Sequence, residues 1–166
     1  MKVKLTPELS YLIGLWRKNR CSDGVGVIGN DDLLGIFSKE VLDKQLTTSN
    51  KLLSEEGKVY FYHTAYRKFF QEVEKDQLER FKYLNEYAAS YIAGMFDAAG
   101  DIDEKGIVFL TNATKQDEIM LLRLGFQSRR RKDRLVIERP LVFLAFIRNY
   151  VKLKKDNKAF QYLNKK

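Results

Sequence analysis

Apolar residues recur at helical spacing in two stretches, one opening each half of the chain: Leu9, Leu12, Ile13 and Trp16, then Ala88, Tyr91, Ile92, Met95 and Phe96. Each stretch leads through a turn into a β-like run ending in Asn: Gly24-Val25-Gly26-Val27-Ile28-Gly29-Asn30 and Gly106-Ile107-Val108-Phe109-Leu110-Thr111-Asn112. An amphipathic helix follows in each half, over about residues 31–46 and 113–125. Next come two strand-like runs around a charged turn, about 47–53 with 58–63 and about 126–131 with 134–138. A last helix closes each half, over about 64–84 and 140–153. The pattern predicts an α+β protein made of two pseudo-symmetric αβαββα repeats.

Local signals agree with these boundaries. Thr6-Pro7-Glu8 reads as a helix start, with a hydroxyl cap, Pro at the first helical position and an acid in the first turn. Asn30 before Asp31 and Asp32 sets a cap and two carboxylates at the positive end of the next helix. Gly125 reads as a helix stop, and Ser54-Glu55-Glu56-Gly57 as a hairpin turn. Tyr11-Leu12-Ile13-Gly14-Leu15-Trp16 and Tyr91-Ile92-Ala93-Gly94-Met95-Phe96 align at an offset of 80 residues. The repeats are assigned to residues 1–85 and 86–153, with a basic tail over 154–166 that Phe160 and Tyr162 could dock.

The two stretches Leu12-Ile13-Gly14-Leu15-Trp16-Arg17-Lys18-Asn19-Arg20 and Ile92-Ala93-Gly94-Met95-Phe96-Asp97-Ala98-Ala99-Gly100 resemble the LAGLIDADG motif. Over about residues 6–153 the chain resembles the single-chain, two-repeat members of the LAGLIDADG homing endonuclease family. Small residues at Gly14 and Gly94 would let the two motif helices pack closely as the seam between halves, with Trp16 in the core. The resemblance implies that each half adds a curved antiparallel sheet, together forming a saddle along the DNA major groove.

The resemblance also implies a carboxylate at the eighth motif position of each helix. Paired there, such acids hold divalent metal beside the scissile phosphate; the metal activates water and stabilises the leaving oxygen. In this chain those positions are Asn19 and Ala99, so the motif is degenerate at both catalytic places. Arg17, Lys18 and Arg20 bring cations where a metal would need negative charge, and could neutralise a phosphate themselves. Asp23, Asp97 and Asp101, with Asp103 beside them, are the acids near enough to rescue metal binding from a shifted register; Asp97 and Asp101 are the alternative ligands for magnesium. Asp97 at the sixth position also suits a structural role, and Asp101 and Asp103 the start of the next strand.

Composition narrows the chemistry further. A single Cys (Cys21) and a single His (His63) forbid an internal disulfide and a structural zinc site, and no local motif pairs them as nucleophile and base. The lone cysteine suits the cytoplasm or another reducing compartment. No apolar run is long enough to cross a bilayer, and the N-terminus has no signal-peptide pattern. The net charge of +8 points to a polyanionic partner. That excess is uneven: residues 1–84 hold 14 basic and 12 acidic side chains, residues 85–166 hold 16 and 10.

Residues 123–139 alone hold seven Lys or Arg and two acids. Period-two reading sets Gln127, Arg129 and Arg131 on one strand face, with Lys132 and Arg134 bordering the turn. The first-half counterpart carries Thr47, Ser49 and Lys51 on one strand face and Lys58, Tyr60 and Tyr62 on the other. Lys51 and Lys58 are further candidates for nucleic-acid contact; the hydroxyls could read bases or bind phosphate, and Tyr60 and Tyr62 could equally cover a core. Three functions follow. The first is a monomeric nucleic-acid-binding protein, duplex DNA before RNA, that needs no cofactor and does not cleave, in a regulator or maturase-like role. The second is an active magnesium-dependent DNA endonuclease, and the third a partner-binding scaffold.

Overall fold

The computed structural model describes residues 2–155 and Phe160. The element order is α1 (Pro7–Lys18), β1 (Val25–Ile28), α2 (Asp31–Asp43), β2 (Leu53–Glu55), β3 (Lys58–Phe61), α3 (Thr64–Lys75) and α4 (Gln77–Arg80) in the first half. The second half runs α5 (Glu86–Ala99), β4 (Gly100–Ile102), β5 (Val108–Thr111), α6 (Lys115–Arg123), β6 (Ser128–Arg131), β7 (Arg134–Ile137) and α7 (Pro140–Ile147). Two antiparallel sheets result, ordered β1-β3-β2 and β4-β5-β7-β6. The α+β class and the doubled element order agree with the pattern in the sequence.

Side-chain caps set the helix starts. Thr6 accepts from the Leu9 amide, Asn30 from Leu33 and Asn85 from Ala88, so each removes one orphan donor from a first turn. Thr114 and Asp117 form a reciprocal capping box at the start of α6. The His63 imidazole caps α3. Among the described residues no helix is long and apolar enough to cross a membrane.

The core lies around α1 and α5, which are buried on nearly every face. They cross at their glycines: a β-carbon on Gly14 would run into the Tyr91 carbonyl oxygen, and one on Gly94 into the Tyr11 carbonyl oxygen. The contact is reciprocal under the offset that relates the repeats. No larger residue fits at either place without moving backbone. Trp16 is core, edge-on to Phe70 at 5.4 Å.

Four boundaries differ from those expected. The strand placed at 47–53 is instead Leu53–Glu55, because residues 48–52 close a turn on the Thr48 carbonyl and the Thr48 hydroxyl bonds Asn50. Lys51 therefore sits in a loop rather than on a strand. The helix placed at 64–84 breaks at Asp76 into α3 and α4. The helix placed at 140–153 stops at Ile147. Asp101 belongs to a separate short strand, β4, whereas Asp103 accepts the Lys105 and Ile107 amides, each at 2.9 Å, in the turn beyond it. The first half keeps only a vestige of that strand, the isolated bridge Arg20 to Val27. Of the tail over 154–166, Tyr162 lies outside the described residues; Phe160 packs edge-on against Phe96.

Candidate functional site

The seam brings the C-terminal ends of α1 and α5 together. Asn19 caps α1, and its side-chain amide donates to the Ala98 carbonyl at 3.2 Å. Ala99 is nearly buried, and its carbonyl accepts from Thr111 Oγ1 at 2.9 Å. An open cleft of about 290 Å³ lies here, lined among others by Asn19, Ile28, Asn30, Asp97, Ala98 and Lys154.

The cations expected to meet phosphate at the end of α1 are largely engaged inside the protein. Arg17 and Lys18 both pair with Asp117 of α6, which is wholly buried. Lys18 Nζ lies 2.5 Å from Asp117 and 3.0 Å from the Asn112 carbonyl. Arg17 also reaches Glu74 at 3.3 Å, and Gln77 donates to Asp117 at 3.2 Å. Burial would raise the Asp117 pKa, but Lys18 and Arg17 override it and hold the carboxyl down at about 2. Two chain halves are thus tied by ions on the inside. This corrects the assignment of Arg17 and Lys18 to an external phosphate surface. Arg20 is half exposed, paired with Glu74 and stacked over Trp16 at 4.3 Å.

The acids expected to rescue metal binding are also partnered. Asp97 takes the Tyr11 hydroxyl at 2.6 Å and the backbone amides of Lys152, Leu153 and Lys154 at 2.8, 3.1 and 3.1 Å. It is 2% exposed, so it serves as a structural clamp rather than a free ligand. Asp23 pairs with Lys58 at 2.7 Å, and Asp101 accepts the Ile102 amide. Among the described residues, no three His, Cys, Asp or Glu side chains converge.

One charged residue that sequence reasoning did not place at the site is Lys154. Its ammonium donates to the Phe96 carbonyl at 3.1 Å and to the Gly100 carbonyl, at the negative end of the α5 dipole. Burial lowers its pKa, against the pull of Asp101 and Asp97. The only signal in the sequence was the Lys-rich composition of the tail, which fixes no position. With a neutral amide at Asn19 and a methyl at Ala99, the eighth motif positions offer a divalent cation no carboxylate. Asp97 is fully engaged, an ammonium sits at the helix end, and Asp101 is the exposed acid left beside it.

The sheets present two unlike faces. Cross-strand partners share a face, so Arg129 lines up with Val136 and Phe109, and Arg131 with Arg134 and Thr111. Leu135 and Ile137 turn to the core. The alternation expected for Arg129 and Arg131 is therefore present, with Gln127 just before β6. Arg134 lies over the Phe109 ring at 4.2 Å, and Lys132 sits at the hairpin tip. Arg130 leans the other way, donating to the Ala113 carbonyl and pairing with Glu118. In the first sheet Lys58 pairs with both Asp23 and Glu55, which neutralise it. Tyr60 is mostly covered, while Ile28, Leu53 and Tyr62 are exposed.

No protein-family model and no curated protein matches the chain. Solved structures do. Mesophilic variants of the homing endonuclease I-DmoI superpose with a TM-score of 0.67 at 14% identity, covering 94% of this chain and 97% of that one. The structure of I-DmoI in complex with DNA and Ca gives 0.64 at 14% identity, covering 95% and 97%. That of I-DmoI in complex with DNA and Mn gives 0.60 at 16% identity, covering 85% and 96%. With two helices crossing at Gly14 and Gly94, two antiparallel sheets, and superposition over 94% of its length, the chain has the two-repeat fold of a LAGLIDADG homing endonuclease.

Proposed function

We propose that this chain binds nucleic acid as a monomer, duplex DNA in preference to RNA, and leaves it uncut. A regulator or a splicing helper is the role that suits such a protein. The observation that carries the reading is the open face of the second sheet. Arg129, Arg131 and Arg134 stand there in register with Lys132 at the tip, and among the described residues no salt bridge engages them. The β6–β7 hairpin at the edge of that sheet is a two-stranded ribbon of the kind the major groove admits, and clustered cations gain affinity by releasing counterions from phosphate. The shared fold supports the partner, since I-DmoI carries DNA in its complexes. Asn19 and Ala99 at the eighth motif positions support the loss of cleavage.

The second reading, a magnesium-dependent endonuclease, is favoured by the presence of Ca or Mn in those I-DmoI complexes. It would require Asp97 to leave its partners, Asp23 to leave Lys58, or the exposed Asp101 to serve as a ligand. The deciding experiment incubates the protein with a randomised duplex DNA pool, with and without magnesium, then recovers bound molecules and maps nicks. Enrichment without nicks is the expected result. Nicks in the enriched pool establish the endonuclease, and no enrichment points to a protein-binding scaffold.

A further inference from the structure

We propose that Lys154 is a tethered cation that closes the helix-end site against divalent metal ions. The proposal rests on the reading above, that the chain binds without cleaving, and names what holds the site in that state. Its first support is position. The ammonium caps the carbonyls of Phe96 and Gly100, so the negative end of α5 already has its counter-charge. The second is the way it is held. Asp97 grips three consecutive amides, 152 to 154, and fixes the strap that delivers the lysine.

The third support is the coupling of acid to strap. Asp97 is the carboxylate of the second motif, and swinging it towards a metal would release all three amides and the Tyr11 hydroxyl. Asn19, Asp97 and Lys154 line one cleft, so the ammonium repels a second cation that would enter it. Restoring acids at Asn19 and Ala99 is then insufficient to restore a metal site.

The test measures Mn2+ binding to the full chain by electron paramagnetic resonance. The double variant Asn19→Asp/Ala99→Asp is compared with the same background carrying Lys154→Gln, which keeps a hydrogen-bond donor and removes the charge. A third protein carries Lys154→Arg in that background. The Gln variant is expected to bind Mn2+ at least tenfold more tightly than the double variant, and the Arg variant to match the double variant. Equal affinities for the Gln and double variants, or for the Gln and Arg variants, overturn the proposal. Circular dichroism reports folding; should the Gln variant not fold, Lys154→Met in the same background takes its place with the same expected gain, and micromolar Mn2+ binding by the double variant alone overturns the proposal. DNA binding by the unaltered chain in EDTA is measured separately, so loss of the binding reading is told apart from loss of this one.

Discussion

The Tyr11 hydroxyl donates to Asp97 at 2.6 Å across the helix pair, joining the first repeat to the clamp of the second. Its repeat-mate Tyr91 donates instead to Gln77, also at 2.6 Å. Burial, reinforced by Asp97, raises the Tyr11 pKa, so the phenol remains a neutral donor. Tyr11→Phe removes one charge-assisted bond and leaves Asp97 its three amides. The expected loss is about 2 kcal/mol of stability. Urea unfolding followed by the fluorescence of Trp16, the only tryptophan, measures it.

Substituting the crossing glycines separates the seam from ordinary helix propensity. Gly14→Ala and Gly94→Ala each force a methyl onto a backbone carbonyl that cannot rotate away. Each is expected to cost about 2–3 kcal/mol. Gly35 lies inside α2 with open space where its β-carbon would go. Gly35→Ala should raise stability by roughly 0.5–1 kcal/mol. Equal effects at all three positions in thermal melts would contradict the close crossing.

The buried ion cluster makes acid stability a property of Asp117. Its carboxyl titrates near 2 in the fold against an ordinary value of 3.8. A group held below its unfolded value stabilises the fold above that unfolded value and loses the contribution as pH falls through the folded one. Stability should therefore drop by about 2 kcal/mol between roughly pH 4 and pH 2. Asp117→Ala should flatten that drop and cost about 3–5 kcal/mol at neutral pH, because Lys18 is left buried without a carboxylate and Arg17 keeps only Glu74. Denaturation midpoints across pH report both effects.

The arginine face predicts a change in salt dependence. Arg129→Ala with Arg131→Ala should weaken duplex DNA binding and lower the salt slope by about 0.9 for each phosphate contact removed. Lys58→Ala should leave the slope unaltered, because Asp23 and Glu55 already neutralise that lysine. Fluorescence anisotropy over a salt series distinguishes the two. An unaltered slope in the arginine pair would remove the second sheet from the interface.

Much of this architecture was legible because its causes are local. Thr6, Asn30 and the glycine pair act through spacing alone, so caps, repeats and seam followed from order along the chain. The fate of Arg17 and Lys18 did not, since their partner Asp117 is about a hundred residues away and reads locally as one more acid in a first helical turn. Lys154 was hidden for the same reason: its position depends on three backbone amides closing on Asp97. Boundaries failed where polar side chains compete with backbone pairing, as Thr48 does ahead of β2.

Arg17 and Asp97 hold the same motif position, and their opposite charges make the halves unequal. At the third position of its helix α6 offers Asp117, whereas α2 offers Leu33 at the matching place. A protein assembled from two copies of the first half would therefore set Arg17 beside Leu33 and leave it Glu74 as its carboxylate partner. Two copies of the second half would instead set the carboxylates of Asp97 and Asp117 together, so turning this chain into a symmetric pair calls for changes at both motif helices.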